Sequence, residues 1–543
     1  MNVLPAWLRG YDRGWLRADV VAGLIVWSVV TPQAVAYAQI AGLPPAAGLI
    51  AAPGAMIGYA LLGTSRTLVV SATTATSALS AAAVAPLAGG DTAKFAALSA
   101  ALALVAAALL AGAALLKLGG LTDFVSRPVM TGFLFGLGML ITVGQLPAIL
   151  GVPAGDGNFF PKLADLLESL GDAHAWTVAV GAASIAGLVA LRRLAPALPG
   201  TLIVLGLAIA LSALLGLEDK GVAVVGALPD AVPDPSVPDV SLAELGQLVP
   251  AALGVMIVGA EALGVSRALA AKDGYAIDVN RELYALGGAN LLAGLSSGFV
   301  QSGGASQTAA AENAGGRTQL ATVIAGGLIL ITGAFLTGLF EPLPQATLAA
   351  IVVVAVASFY DVAELRRITS VRRSALGFAL IALAGLLLLG VLPGLLIAAV
   401  LSLALLLKRL SRPPVQPLGR DPVSGAWGAL SRHPAWEVVD DVLVVRVEGF
   451  LFYADVNAVR ERLVDLVAAA GPRPRVLVLE LDQDDVDVES LDVLAELAGA
   501  LRREDVELRL GGVRSRVREL LGRSGLDASV AAYPTLDGAV AGQ

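Results

Sequence analysis

Phe299-Val-Gln301-Ser302-Gly303-Gly304-Ala305-Ser306-Gln307-Thr308 is a polar, glycine-broken stretch inside an otherwise apolar chain, with an echo at Thr67-Leu-Val-Val-Ser71-Ala72-Thr73-Thr74-Ala-Thr76. Each opens with β-branched or polar residues, crosses a Ser/Thr/Gly cluster, and continues as an Ala-rich run that reads as helix. A helix that begins part-way through a membrane exposes free backbone N–H groups and the positive end of its dipole. Irregular backbone at that depth is tolerated only where it lines a cavity. Two such N-termini facing each other form a cationic spot without a cationic side chain, suited to an anion. Ser71, Thr73, Ser302 and Ser306 are then candidate caps or hydroxyl ligands. The competing account is that small residues merely let helices pack closely.

The surrounding composition places both stretches in lipid. Of 543 residues, 57% are hydrophobic and 15% charged, and the mean hydropathy is +0.79, whereas soluble domains are about half apolar and a quarter charged. Taking about 20 apolar residues per crossing, with some shorter, spans are expected at 20–40, 46–62, 73–90, 94–116, 128–150, 176–191, 199–216, 247–266, 282–297, 305–314, 318–339, 345–359, 374–391 and 394–410. The two broken stretches are spans three and ten, third in each set of seven. Interrupted segments at corresponding positions of two halves point to a transporter's substrate site.

Charge sets the orientation. Nineteen Lys and Arg residues, from Arg9 to Arg412, fall on the N-terminal side of these spans, and three, Lys94, Lys162 and Lys220, on the other. By the positive-inside rule both termini are cytoplasmic. The long outer loops, 152–175 and 218–245, are acidic, with Asp156, Asp230 and Asp234 among their carboxylates, and a solvated surface accounts for that. The first 19 residues are charged throughout and lack the apolar core of a signal peptide.

Span eight holds Glu261 behind a long uncharged run. An ionisable side chain inside a span is costly and by default functional, and low dielectric favours its neutral form. Glu261 is therefore a candidate carrier of a coupling proton. The structural alternative pairs it with Arg267 or Arg281; six-residue spacing puts Glu261 and Arg267 on different helix faces, which weakens it.

Thr31-Pro32-Gln33-Ala-Val-Ala-Tyr37-Ala, with Ala41-Gly42-Leu43-Pro44-Pro45, resembles the signature of the SulP (sulfate permease) or solute carrier 26 anion transporters. Gly63-Thr64-Ser65-Arg66, Ser126-Arg127-Pro128-Val129, Asn280-Arg281-Glu282-Leu283 and Ala314-Gly315-Gly316-Arg317-Thr318-Gln319 match in order. The resemblance implies an α-helical polytopic fold of two inverted seven-span repeats (20–216 and 247–410), divided into core and gate domains, working by elevator-like alternating access as a homodimer. It also implies a site between spans three and ten, flanked by spans one and eight. Substrate would then meet Gln33, Tyr37, Ser71, Thr73, Thr74, Ser302, Gly303, Gly304, Ala305, Ser306 and Gln307, with Glu261 as proton-coupling residue. For Gln33 the alternative is that Pro32 kinks span one and Gln33 bonds the loosened backbone. Two departures stand out: members often carry arginine where this chain has Gln307, and Gly-Pro where it has Ser71-Ala72. Less fixed positive charge favours proton co-transport over exchange.

Past a Pro- and Gly-rich linker at 411–434 the composition becomes that of a soluble domain, 435–543. Strands at 441–447, 475–481 and 506–510, alternating with helices near 455–470, 490–503 and 513–523, predict a small α/β domain. Glu448-Gly-Phe-Leu-Phe-Tyr-Ala-Asp455 resembles the first conserved stretch of STAS domains. Relatives that are phosphorylation switches read Asp-Ser-Ser/Thr-Gly where this chain has Glu489-Ser490-Leu491-Asp492, so leucine replaces the acceptor hydroxyl. The acidic run Asp482 to Asp487 is a cation candidate, for which a solvated loop is the plainer account.

These features describe a secondary transporter of small anions in the inner membrane, with sulfate, a C4-dicarboxylate or bicarbonate as substrate and a proton (sodium the lesser candidate) as coupling ion. A nucleobase–proton symporter on the same scaffold and an uncoupled anion exchanger are the alternatives. No enzyme, cofactor, metal or nucleic-acid partner is expected: the chain has no cysteine, two distant histidines, and neither a nucleotide loop nor a triad.

Overall fold

Alternating apolar runs and short polar breaks fold, in chain order, into α1 (Leu16–Ile40), α2 (Ala46–Leu62), β1 (Val70–Ser71), α3 (Thr74–Ala88), α4 (Thr92–Leu115), α5 (Arg127–Leu150), α6 (Phe159–Ser169), α7 (Ala175–Leu194), α8 (Gly200–Leu215), α9 (Leu242–Asp273), α10 (Val279–Leu295), β2 (Ser302–Gly303), α11 (Ala305–Asn313), α12 (Leu320–Phe335), α13 (Gln345–Val356), α14 (Val362–Val371), α15 (Arg373–Leu389) and α16 (Val391–Leu410). The structure, a computed structural model, describes residues 5–8, 11–120, 126–195, 198–228 and 231–542; Arg9 and Asp230 lie outside them. Two compact units divide at Ser402–Leu403, inside α16.

Every expected span coincides with a helix. Two further helices, α6 and α14, were not foreseen. Both are short and amphipathic, and a search for fully apolar runs passes over such segments. Among the described residues, seven helical segments are long and apolar enough to cross a membrane by themselves; α2, α3, α8, α12 and α15 are apolar but shorter.

The helices sort into two packed groups. In one, α10 lies between α2 and α4, α1 packs on α12 and α11, and α9 on α4 and α3; in the other, α5 packs on α15, α13 and α7, and α7 on α8. Backbones approach closely through small residues, as bilayer interfaces allow. A Cβ at Gly48 would run into the Ala34 carbonyl, so α1 and α2 meet only because position 48 is glycine.

Two fully buried carboxylates explain several of the quoted motifs. Glu282, in the first turn of α10, accepts from Tyr59 Oη at 2.5 Å, the Thr64 amide at 2.7 Å, Thr64 Oγ1 at 2.5 Å and the Ser65 amide at 3.0 Å. Asp19, in the first turn of α1, accepts from the Arg317 and Thr318 amides at 2.7 and 3.0 Å and from Thr318 Oγ1 at 2.7 Å. Gln319 Nε2 donates to the Ser65 and Leu68 carbonyls at 3.0 and 2.9 Å. Gly63–Arg66, Asn280–Leu283 and Ala314–Gln319 are thus the joints that fix the two loops bounding the broken stretches.

The second unit is a six-stranded sheet of β3 (Val415–Arg420), β4 (Trp427–Ala429), β5 (Val442–Val447), β6 (Val476–Glu480), β7 (Glu507–Gly511) and β8 (Ala531–Ala532), in the order β4-β3-β5-β6-β7-β8. The run β5 to β8 is parallel, and β3 pairs antiparallel with β4 and β5. Segment 411–434, read above as a linker, supplies β3 and β4: its prolines end strands, and Pro417 sits within β3 without donating to the ladder. Helices α17 (Val456–Ala469), α18 (Val488–Arg502), α19 (Ser515–Ser524) and α20 (Leu536–Ala541) accompany the sheet. One core joins Val445, Leu477, Leu479 and Leu510 to Leu463, Leu494 and Val517.

Candidate functional site

Val69 and Val70, β-branched and buried, favour an extended backbone. They pair across the repeats: β1 and β2 run antiparallel with Val70 opposite Gly303 and Ser71 opposite Ser302. The Gly304 amide donates to the Val69 carbonyl at 3.0 Å, and the Val69 amide to Thr308 Oγ1 at 3.0 Å. Gly303 permits this closeness, since a Cβ there would lie 2.7 Å from Ala262 of α9. Asn290 of α10 holds the same stretch, its Oδ1 accepting from the Gln301 amide at 2.9 Å and its Nδ2 donating to the Gln301 carbonyl at 3.0 Å.

Both chains leave the ladder into helices, so the N-termini of α3 and α11 lie next to each other. They differ in how their free amides are met. Thr73 caps α3 in a reciprocal box: the Thr76 amide donates to Thr73 Oγ1 and the Thr73 amide to Thr76 Oγ1, each at 3.3 Å. At α11 the cap is Gly304, with no side-chain acceptor, and the next residues, Ala305 and Ser306, are exposed. The α11 end has no side-chain cap and so keeps more of its backbone donors open.

Span one supplies a wall. Gln307, buried, donates from Nε2 to Gln33 Oε1 at 2.8 Å and to the Ala72 carbonyl at 3.3 Å. Gln33 therefore reaches across to α11 and not to the backbone near Pro32, where α1 continues unbroken. Tyr37, also buried, lies near Thr74 and close enough to Glu261 to feel its charge. Ser71 makes only a long contact to the Ala72 carbonyl, 3.5 Å.

Glu261 sits on α9, one residue before the alanine that packs on Gly303. Protein surrounds it on most sides, yet its surface remains open to solvent. Among the described residues its carboxylate has no hydrogen bond or salt bridge; Arg281, one of its proposed structural partners, donates to the Leu62 carbonyl at 3.2 Å. One region thus gathers Gln33, Tyr37, Ser71, Thr73, Thr74, Ser302, Gly303, Gly304, Ala305, Ser306, Gln307 and Glu261. Thr308 and Asn290, which hold the ladder together, were not singled out from sequence. Asn290, a polar residue amid the Gly, Ala and Leu of α10, was the available signal.

This arrangement has known counterparts. The profile of the sulfate permease family matches residues 16–383. The chain belongs to the sulfate permease family. A second profile, that of the STAS domain, matches residues 433–539. Among similar family proteins is one named a probable sulfate transporter of Mycobacterium tuberculosis, 38% identical over 517 residues, which cover 94% of this chain and 92% of that protein. Another is the chloroplastic sulfate transporter 4.1 of Arabidopsis thaliana, 28% identical over 96% of this chain and 78% of its own length. The fold matches murine solute carrier 26 family member A9 in its inward-facing state, with a TM-score of 0.88 and 22% identity, over 99% of this chain and 93% of that one. It also matches the transmembrane domain of a cyanobacterial bicarbonate transporter, with a TM-score of 0.64 and 22% identity, over 72% of this chain and 98% of that one. The family consists of transporters, not enzymes.

In the STAS unit Ser490 is fully buried as the third residue of α18, and Leu491 is buried beside it. The acidic run is engaged by arginine: Arg514 reaches Asp482 at 2.7 Å and Asp484 at 2.6 Å.

Proposed function

We propose that the chain is a secondary active transporter of small oxyanions, with sulfate the leading substrate, moved together with protons. The observation that carries this reading is the β1–β2 ladder, which sets the uncapped N-terminus of α11 beside that of α3, with Glu261 on the adjoining helix. Backbone donors and helix dipoles bind a tetrahedral or planar oxyanion from several directions at once. No arginine is needed for that, and Gln307 stands where relatives often place one. Protonation of Glu261 removes a negative charge next to the anion, so the two bind more readily together than apart. Relatives named as sulfate transporters support the substrate class.

The division into two helix groups supports alternating access. The group holding α1–α4 and α9–α12 carries the site and slides as a body against the group of α5, α7, α8, α13 and α15. The transport domain spans 20–410 in the inner membrane of a homodimer, with the N-terminus and the STAS domain cytoplasmic, as the arginine asymmetry supports. A second reading, bicarbonate as substrate, rests on the likeness to the bicarbonate transporter's fold. A C4-dicarboxylate has less behind it, and a nucleobase would want a further carboxylate in span ten.

Purified protein in proteoliposomes tests this. An inward proton gradient is expected to drive sulfate uptake, and Glu261→Gln to leave uptake that ignores the gradient. Wild-type uptake indifferent to pH on both sides makes the protein an exchanger. Bicarbonate taken up where sulfate is not moves the choice to the second reading.

A further inference from the structure

We propose that the groove formed by α14 and the start of α15 binds an anionic phospholipid. The connection between α13 and α15 lies between the spans expected at 345–359 and 374–391. There α13 gives way at Val356 to a 3₁₀ turn, Ala357–Phe359, and Asp361 caps α14 by accepting the Glu364 amide at 2.8 Å. Ile368 and the partly buried Leu365 face the helix group, and Val362 and Val371 are exposed, the latter 78%. Val362, Arg366 and Thr369, four and three residues apart, share one side of α14, and Arg373 opens α15 just past the extended Arg372. Those three and Arg373, with Leu365, Ser370 and Val371, line a cavity of about 540 Å³.

The chemistry of the lining selects the occupant. Among the described residues the guanidinium groups of Arg366 and Arg373 have no acid partner; Arg367 is the one paired, with Glu364, at 2.6 Å. Arg127 at the start of α5 adds its charge near Glu364. The hydroxyls beside them are already used, Thr369 Oγ1 donating to the Leu365 carbonyl at 2.7 Å and Ser370 Oγ to the Arg367 carbonyl at 2.8 Å. What remains open is planar positive charge next to exposed aliphatic surface. A phosphodiester headgroup with an acyl chain supplies both complements: bidentate acceptors for guanidinium, and apolar area for Val362, Leu365 and Val371. A free phosphate would satisfy the arginines and leave the valines in water. The side of the membrane agrees, since the arginine asymmetry puts this connection at the leaflet where anionic lipid attracts basic juxtamembrane segments.

The full-length protein in neutral detergent would be titrated with dioctanoyl phosphatidylglycerol, dioctanoyl phosphatidylcholine or inorganic phosphate, and retained lipid read by native mass spectrometry. Phosphatidylglycerol is expected to be retained over phosphatidylcholine. The Arg366→Gln/Arg373→Gln variant should lose affinity by on the order of 30-fold, and Arg366→Lys/Arg373→Lys by less, because the charge stays while the bidentate fork is lost. Val371→Asp, at an exposed position that folding does not depend on, should weaken retention as well. Equal retention by wild type and the glutamine variant overturns the site. Equal retention of the two lipids overturns its charge selectivity, and competition by millimolar phosphate alone overturns the lipid assignment.

Discussion

Gln307 and Gln33 are joined amide to amide at 2.8 Å across 274 positions of sequence. The same Nε2 also reaches the Ala72 carbonyl, which can only accept, so the Gln307 amide is oriented with its nitrogen toward span one and its oxygen turned back over Gly304, buried and without a partner. One side chain therefore ties together α1, the entry to α3 and the first turn of α11.

Breaking that tie should weaken substrate binding before it weakens the fold. Gln307→Ala and Gln33→Ala are each expected to raise the KM for sulfate by about tenfold, with a coupling of about 1 kcal/mol in the double variant. A Cβ at position 304 would meet the Gln307 amide first. Gly304→Ala should accordingly mimic Gln307→Ala and add little to it. Uptake kinetics of the four variants check this; additive effects would show that the residues act separately.

Thr73 is occupied as a helix cap, and a cap has a known cost. Thr73→Ala should destabilise the α3 entry by about 1 kcal/mol, and Thr73→Ser should restore it. If Thr73 were instead a direct ligand, alanine would raise KM far more than it lowers the thermal midpoint. Comparing the two readouts on the same preparation separates these roles.

Glu282→Gln keeps the shape but removes a charged acceptor shared by Tyr59, Thr64 and Ser65. Hydrogen bonds to charged acceptors are the strong ones. A loss on the order of 3 kcal/mol is expected, seen as a lower unfolding midpoint in detergent. Sulfate affinity of the protein that remains folded should be unchanged.

The STAS unit carries a pH dependence of its own. Burial, with the charge of Asp487 adding to it, holds the Asp455 carboxyl above the ordinary aspartate range, although the Phe452 amide donates to it. The folded state therefore binds this proton more tightly than the unfolded state does. Its contribution is complete below the ordinary aspartate range, and stability falls as pH climbs from there through the raised value. Hydrogen exchange of β5 and β6 in the full-length protein should show protection declining across that window, and less so in Asp455→Asn.

Much of this was legible in the chain, for particular reasons. The fourteen apolar runs were plain because lipid demands length and hydropathy together. The ladder's neighbourhood was plain because Ser302-Gly303-Gly304 and Ser71-Ala72-Thr73 interrupt apolar segments at matching places. Glu261 stood out as a lone charge. What stayed hidden depends on distance in three dimensions. Gln307 looked like a substrate ligand, and only the fold shows its amide committed to Gln33 and Ala72. Glu282 stood inside a quoted motif and Asn290 inside an apolar run, but which loops they hold shows only in the fold. The amphipathic pair α6 and α14 carried too little apolar length to register, and β3 was masked by the prolines that flank it.

The ladder between Val70–Ser71 and Ser302–Gly303 has a consequence for ancestry and stoichiometry. Each half of the chain contributes one strand, so neither half owns the complete ladder. A fragment ending before α9 would need its sister fragment in trans, and the two, co-expressed, should reassemble one ladder per pair. However many chains associate, each ladder is built within a single polypeptide.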